Sequence, residues 1–186
     1  PQAVARETSK ILAAVLPPSA INEILTSSRF NYYCGAVWSR GWLGRNSAVA
    51  QRLAMVKAMA LAVAGRHHQR RMMGRTVFGP ADRLQQIVSS DGFETEKIAL
   101  TADNFSQAVL ASGSIPVIMQ GLGGFSGSTP GRLYRDGGLV DYHPLAANIF
   151  APSAGLVLYP HFYPYLVEGW FDKFIAGRKV STAALD

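Results

Sequence analysis

Segments typical of β-strands alternate along the chain with segments typical of α-helices. Between the first two strand-like runs lies a long stretch of Ala, Leu and Met, which Asn46 or Ser47 can cap and which Gly65 ends. This alternation predicts an α/β fold, in which helices pack on a sheet. Four runs are predicted as strands: one within 29–39, and others at 75–78, 97–100 and 133–135.

The other predicted elements are shorter. No repeat or internal linker separates them, so residues 1–186 are predicted to form a single domain. The longest apolar stretch, from Ala48 to Ala64, carries Arg52 and Lys57, which argues against a membrane-spanning helix. Helices are predicted at 3–16, from Ser19 to about Thr26, from Pro80 to about Val88, after Thr101, at 145–150 and at 171–175, and a further strand at 155–159.

The composition is that of a globular protein, with 48% hydrophobic and 16% charged residues. The single cysteine, Cys34, excludes an internal disulfide and any multi-cysteine metal site, and no cofactor is expected. The chain starts at Pro1 without a leader-like segment, and both of its ends are interpreted as cut. A cytoplasmic or peripheral-membrane location is favoured.

Charge is distributed unevenly along the chain. Residues 1–81 carry a net charge of +9 and residues 82–186 carry −3, and no acidic residue occurs between Glu23 and Asp82. A basic surface of this kind can attract anionic headgroups or nucleic acid, although a solvated helix end and loop is the favoured interpretation. The densest basic cluster, a candidate anionic-surface patch, contains Arg66, Arg70, Arg71 and Arg75.

A carboxylate followed by two glycines comes directly after the predicted strand at 133–135. Asp136, Gly137 and Gly138 belong to the run Y-R-D-G-G-L-V-D, which ends at Asp141. Glycines tolerate positive φ and let another backbone approach closely. Ligand sites in open α/β sheets lie just past the carboxyl ends of strands, so this turn can present a base at a sheet edge. Asp-Gly-Gly alone is a common turn sequence, and its neighbours in the chain therefore matter.

Those neighbours form an ordered set. The sequence A-S-G-S-I-P at 111–116 follows a predicted helix, and a Gly/Ser/Pro-rich loop at 121–131 separates it from Asp136. The order of helix, Ala-Ser-x-x-x-Pro, hairpin, Asp-Gly-Gly, hydrophobic pair and Asp resembles the second half of the active-site framework of patatin-like phospholipases and lipid acyl hydrolases. The resemblance is strong over 97–144 and loose over the rest. It implies part of a three-layer fold, with a mostly parallel sheet flanked by helices.

The resemblance also implies a mechanism. In this family a serine within Gly-x-Ser-x-Gly attacks an ester carbonyl, an aspartate takes the serine proton directly, and a glycine-rich loop stabilises the oxyanion. By position in the motif, Asp136 would be that base, and Gly137 and Gly138 would shape its turn. The chain is thus expected to be part of a serine-dependent hydrolase of phospholipids or other acyl esters, with no metal site.

The serine half of this dyad is not found in the sequence. No serine has glycine at both flanking second positions, and Ser126 comes closest, with Gly124 before it but Ser128 after it. We therefore interpret Ser126 as a loop residue and expect the nucleophile to lie before residue 1, so that activity belongs to the parent protein. A chain without those leading strands should expose a sheet edge, which predicts self-association or a complementing polypeptide.

An alternative function is non-catalytic. The basic first half could bind an anionic membrane or, less expectedly, nucleic acid. Four aromatic residues that could stack on nucleic-acid bases are instead predicted to lie in the core: Tyr32, Tyr33, Trp38 and Trp42. Trp170 and Phe171 are candidate lipid contacts instead. The four histidines are interpreted as structural or surface residues, since a Ser-His-Asp site through His143 would also lack its serine.

Overall fold

The computed structural model describes residues 2–144, 149–151, 156–160 and 165–178. Its elements, in chain order, are α1 (Gln2–Val15), α2 (Pro18–Thr26), β1 (Cys34–Ser39), α3 (Ala48–Ala64), β2 (Met73–Gly79), β3 (Thr95–Ala99), α4 (Phe105–Ser112) and β4 (Leu133–Asp136). Shorter 3-10 segments lie at Arg66–Arg71, Ala81–Gln86, Gly137–Leu139 and Trp170–Phe174. The predicted α/β fold class is confirmed.

The four strands form one mixed sheet in the order β3-β2-β1-β4. Strands β2 and β3 are parallel, whereas β1 runs antiparallel to both of its neighbours, β2 and β4. The prediction of a mostly parallel sheet is therefore not confirmed, although β2, β3 and β4 share one direction. Residues 40–72, which include α3, connect β1 to β2. This connection begins and ends at the same end of the sheet, because Ser39 lies opposite Met73. A helix between two strands thus did not imply a parallel crossover.

Helices cover both faces of the sheet. On one face, the small residues Ala54, Ala58 and Ala62 of α3 recur every four residues and let this helix pack closely on the core around Val37. On the other face, α4 packs with α2 residue Ile21 on a second core, which includes Trp38, Phe78 and Tyr134. The two cores place the sheet between helical layers, as the sequence predicts for an α/β fold.

The two outer edges of the sheet differ. The edge of β4 is covered by the preceding loop, since Leu122 pairs with Tyr134 and Ser114 accepts a hydrogen bond from the Asp136 amide. Within the described part of the chain, the outer edge of β3 pairs with no other strand. None of the described helices has the length and apolar character to cross a bilayer.

Two predicted helices begin differently from the prediction. Pro17, not Ser19, precedes α2, and Pro18 takes the first helical position, where its missing N–H costs no hydrogen bond. Asn104, not Thr101, lies at the position before α4, and its side chain makes no hydrogen bond to the first turn of the helix. Its Oδ1 accepts a hydrogen bond from the Thr101 amide at 2.9 Å instead. The long helix does begin after Ser47, whose side chain accepts a hydrogen bond from the Ala50 amide, as predicted.

Three later predictions also differ. The helix predicted from Pro80 is a 3-10 segment that ends at Gln86, after which Ile87 forms a bridge with Phe150. The helix predicted at 171–175 is likewise a 3-10 segment. Residues 156–159, predicted as a strand, have no regular secondary structure. Most of the helix predicted at 145–150 lies outside the described residues, as do 155 and His161.

Candidate functional site

Asp136 is the last residue of β4 and is partly buried. Because β2, β3 and β4 run in the same direction, Asp136 shares its edge of the sheet with the carboxyl ends of the other two strands. The Oδ1 atom accepts a hydrogen bond from the Gly138 amide at 2.7 Å. No hydrogen bond from another described residue reaches Oδ2. One carboxylate oxygen is thus held by the turn, and the other can accept a proton.

The two glycines of the turn are required by close approach. A Cβ atom on Gly137 would lie 2.5 Å from the carbonyl oxygen of Gly35, and one on Gly138 would lie 2.9 Å from Asp136 Oδ1. Neither glycine has a positive φ. The predicted close backbone approach is confirmed, and the predicted use of positive φ is wrong, because the turn continues as a 3-10 segment.

Three residues near Asp136 were not identified from the sequence. The Lys173 Nζ lies 3.3 Å from the centre of the Tyr142 ring, and the Tyr159 hydroxyl donates a hydrogen bond to the Tyr142 carbonyl at 2.8 Å. Burial raises the pKa of Asp136, while the Gly138 hydrogen bond and the Lys173 charge oppose that rise. The pKa of Tyr159 is also raised, by burial first and then by the charges of Tyr142 and Asp136. A raised carboxyl pKa suits a group that must accept a proton near neutral pH.

This raised pKa predicts that Asp136→Asn makes the protein more stable at neutral pH. A carboxyl group whose pKa is higher in the folded state stabilises the fold below its unfolded-state pKa, and this contribution is lost as the pH rises through the folded value. The asparagine carries no charge and can still accept the Gly138 hydrogen bond. We expect a higher Tm than wild type at pH 7 and a smaller difference at pH 3, measured by thermal unfolding. A lower Tm for Asp136→Asn at pH 7 would contradict this.

The segment beside Asp136 is firmly held. The Ser114 carbonyl accepts the Asp136 amide hydrogen at 3.1 Å, and the buried Ser114 hydroxyl donates to the Leu110 carbonyl at 2.6 Å. Three residues later, Val117 has a φ of 72°, a strained conformation for a β-branched residue. The side chain of Gln51 accepts a hydrogen bond from the Val117 amide and so fixes this conformation. Strained backbone held by its surroundings is concentrated at functional sites.

A buried ion-pair network anchors the Asp-Gly-Gly turn to β2. Arg75 is 1% exposed and binds two carboxylates through paired hydrogen bonds: Asp141 at 2.6 and 2.6 Å, and Asp91 at 3.0 and 2.6 Å. Arg66 donates to Asp91 at 3.0 Å and to the Val140 carbonyl at 2.6 Å. The last acid of the Asp-Gly-Gly run is therefore a structural residue that joins the turn to β2.

The predicted anionic-surface patch is wrong for two of its four arginines. Arg75 is buried and Arg66 is largely buried, because both pair with carboxylates that are distant in sequence. Arg70 and Arg71 are exposed, and Arg70 also donates to the Asp91 carbonyl. The four side chains therefore do not form one basic surface.

The remaining candidates do not form a second site. Ser126 is exposed in the loop before β4, and its carbonyl accepts a hydrogen bond from Asn104 at 3.0 Å. No serine among the described residues donates to the Asp136 carboxylate. His143 is buried, and its Nδ1 accepts a hydrogen bond from the Val167 amide at 3.0 Å, which ties 143 to 167. The described residues contain no group of three acidic, histidine or cysteine side chains able to hold a metal ion.

The site therefore consists of a carboxylate at the carboxyl edge of the sheet, with one oxygen held by a tight glycine turn and the other receiving no hydrogen bond from the described residues. A buried arginine anchors the end of that turn through Asp141. Comparisons of the chain with protein-family models, with curated proteins and with solved structures found no match.

Proposed function

We propose that this chain is part of a serine-dependent lipid acyl hydrolase, related to the patatin-like family, in which Asp136 is the catalytic base. The observation that carries the proposal is the state of the Asp136 carboxylate. Its Oδ1 is fixed by the Gly138 amide, its Oδ2 is free of hydrogen bonds from described residues, and burial raises its pKa. A purely structural aspartate in such a turn would be expected to use both oxygens, as Asp141 does with Arg75.

The proposed reaction is an acyl transfer in two steps. A serine hydroxyl attacks the ester carbonyl, and its proton passes to Asp136 as the new carbon–oxygen bond forms. The bond to the leaving alcohol then breaks, and that alcohol takes the proton from Asp136. Water attacks the acyl-serine in the second step, again giving a proton to Asp136, which returns it to the serine as the acid leaves.

A depression near Lys173 offers room for part of a substrate. A depression of about 340 Å³ includes Val167, Asp172, Lys173, Phe174 and Ile175 in its lining. Asp136 does not line it, and the connection between them is Lys173, whose charge acts on Asp136. Aliphatic and aromatic side chains of this kind suit an acyl chain. The ammonium of Lys173 suits the phosphate or carboxylate of a lipid.

Residues 1–186 contain no serine in a Gly-x-Ser-x-Gly motif. We propose that the nucleophilic serine lies elsewhere in the natural polypeptide or on a complementing one, and that the turn around Asp136 docks against it. The alternative function, binding of an anionic membrane or nucleic acid through the basic first half, cannot use the four-arginine cluster as one patch, because Arg66 and Arg75 point into the ion-pair network.

Covalent labelling tests the proposal. The natural full-length protein, treated with a fluorophosphonate that modifies activated serines, should be labelled at one serine that mass spectrometry places outside residues 1–186. Ser126→Ala should leave the labelling unchanged. A folded protein that is not labelled, or is labelled at Ser126, would contradict the proposal.

A further inference from the structure

The helix α3 has an apolar outer face that no described residue covers. Its side chains at 49, 53, 56, 60 and 63 are separated by four, three, four and three residues, so they lie in one stripe along the helix. Four of them are large and strongly exposed: Val49 (65%), Leu53 (49%), Val56 (70%) and Val63 (61%). The opposite side of α3 is buried in the core through its alanines. An apolar stripe on a helix normally faces another apolar surface.

The flanks of this α3 outer face are basic. Arg52 and Lys57 are exposed and lie on either side of the stripe. Trp42, predicted to be buried, is 50% exposed and shares a shallow depression with Lys57, Arg40 and Arg71. The surface thus combines aliphatic side chains, an aromatic ring and four cations, of which Arg40 pairs with Glu94 at 2.9 Å.

We infer that the α3 outer face docks on an anionic lipid surface. The stripe would enter the boundary between headgroups and acyl chains, as an interfacial amphipathic helix does. Arg52 and Lys57 have long side chains that reach from the flanks of a buried stripe to lipid phosphates. A tryptophan bordered by cations is typical of the headgroup region.

A second copy of the chain fits this face less well. A symmetric contact would bring the cations of one copy against those of the other. Arg40 pairs with Glu94, but among the described residues Arg52, Lys57 and Arg71 have no acidic partner, and α3 and its flanking loops carry no acidic residue. The lipid contact predicted at Trp170 and Phe171 also fits less well, because Phe171 is 2% exposed and packs in the core.

Vesicle binding by the natural full-length protein tests this inference. We expect binding to phosphatidylcholine vesicles that contain phosphatidylserine, much weaker binding to phosphatidylcholine alone, and loss of binding at high salt. Removing both cations in Arg52→Gln/Lys57→Gln should weaken binding about 25-fold, at about fivefold per cation. Removing apolar area in Leu53→Ser/Val56→Ser should weaken it at least about tenfold. All these positions are exposed, so the variants should fold, which circular dichroism checks.

Controls separate this surface from general basicity. Arg29→Gln/Lys97→Gln removes two exposed cations away from α3 and should bind as wild type does. Brominated acyl chains should quench the tryptophan fluorescence, and Trp42→Phe should remove that quenching. Equal binding by the Arg52→Gln/Lys57→Gln and control pairs would overturn the inference. So would absence of vesicle binding at low salt, or self-association in lipid-free solution that Leu53→Ser/Val56→Ser abolishes.

The α3 outer face and the proposed catalytic base are formed by different residues. Asp136→Asn should bind vesicles as wild type does, even where ester hydrolysis is lost. Vesicle binding without any hydrolysis would support the docking surface and contradict the hydrolase proposal. Hydrolysis without vesicle binding would support the hydrolase proposal and contradict the docking surface.

Discussion

Arg75→Met is expected to lower the free energy of unfolding by about 3–5 kcal/mol at pH 7, the usual cost of breaking a buried ion pair from one side. The arginine holds two carboxylates, and the substitution leaves both Asp91 and Asp141 without their paired hydrogen bonds. Methionine fills much of the space of the arginine stem, so the loss is one of charge pairing more than of volume. Urea unfolding of both proteins measures it.

The pH dependence identifies the cause of this loss. In the wild type, burial would raise the pKa of Asp91, but hydrogen bonds and charges from Arg75 and Arg66 outweigh it and lower the pKa from 3.8 to about 2. The stability from this pair is therefore present above pH 3.8 and is lost as the pH falls towards 2. Without Arg75, only Arg66 opposes the effect of burial on Asp91, so the pKa of Asp91 rises and the deficit of Arg75→Met should shrink as the pH is lowered.

Arg71→Met is the matched control, because it removes a nearby exposed arginine. It should change the free energy of unfolding by no more than about 0.5 kcal/mol. Arg75→Lys keeps the charge but loses the planar fork that binds each carboxylate at two points, and should fall between the two. Arg75→Met as stable as Arg71→Met would show that the network does not anchor the turn.

The sequence allowed the local parts of this structure to be predicted. Helix α3 has a serine cap, a run of strong helix formers and a terminal glycine, and its observed bounds follow them. The Asp-Gly-Gly turn could also be predicted, because a glycine pair directly after a strand is typical of a tight turn. In both cases the determining residues lie within a few positions of one another.

Long-range pairing could not be predicted in the same way. Arg75 meets Asp91 and Asp141 only because β2 and the turn after β4 are brought together, and an arginine in a basic cluster looks like a surface residue until then. Trp38 and Trp42 lie four residues apart, yet one is 1% and the other 50% exposed. The difference arises because β1 ends at Ser39 and Trp42 belongs to the loop that follows.

The surroundings of Asp136 were missed for a related reason. Tyr142 and Tyr159 come from segments without regular secondary structure, and Lys173 comes from a 3-10 segment. Such segments carry no periodic pattern that assigns a side chain to a face. The direction of β1 was missed because the register that sets it depends on where residues 40–72 rejoin the sheet.

Asp136→Asn is expected to reduce ester hydrolysis by the natural full-length protein about a thousandfold. An asparagine keeps the Gly138 hydrogen bond but cannot take a proton from serine, and a positioned general base contributes about 10²–10⁴-fold. The rate constant for acyl-enzyme formation should fall in the same proportion, since the base acts in that step. Asp103→Asn removes an exposed carboxylate after β3 and is the matched control.

The most direct measurement is therefore the rate of acyl-enzyme formation with a chromogenic acyl ester, compared among wild type, Asp136→Asn and Asp103→Asn, each confirmed as folded by thermal unfolding. We expect a burst in wild type and Asp103→Asn, and none on the same timescale in an Asp136→Asn protein whose Tm at pH 7 is above that of wild type. Acylation by folded Asp136→Asn at the wild-type rate would contradict the assignment of Asp136 as the base.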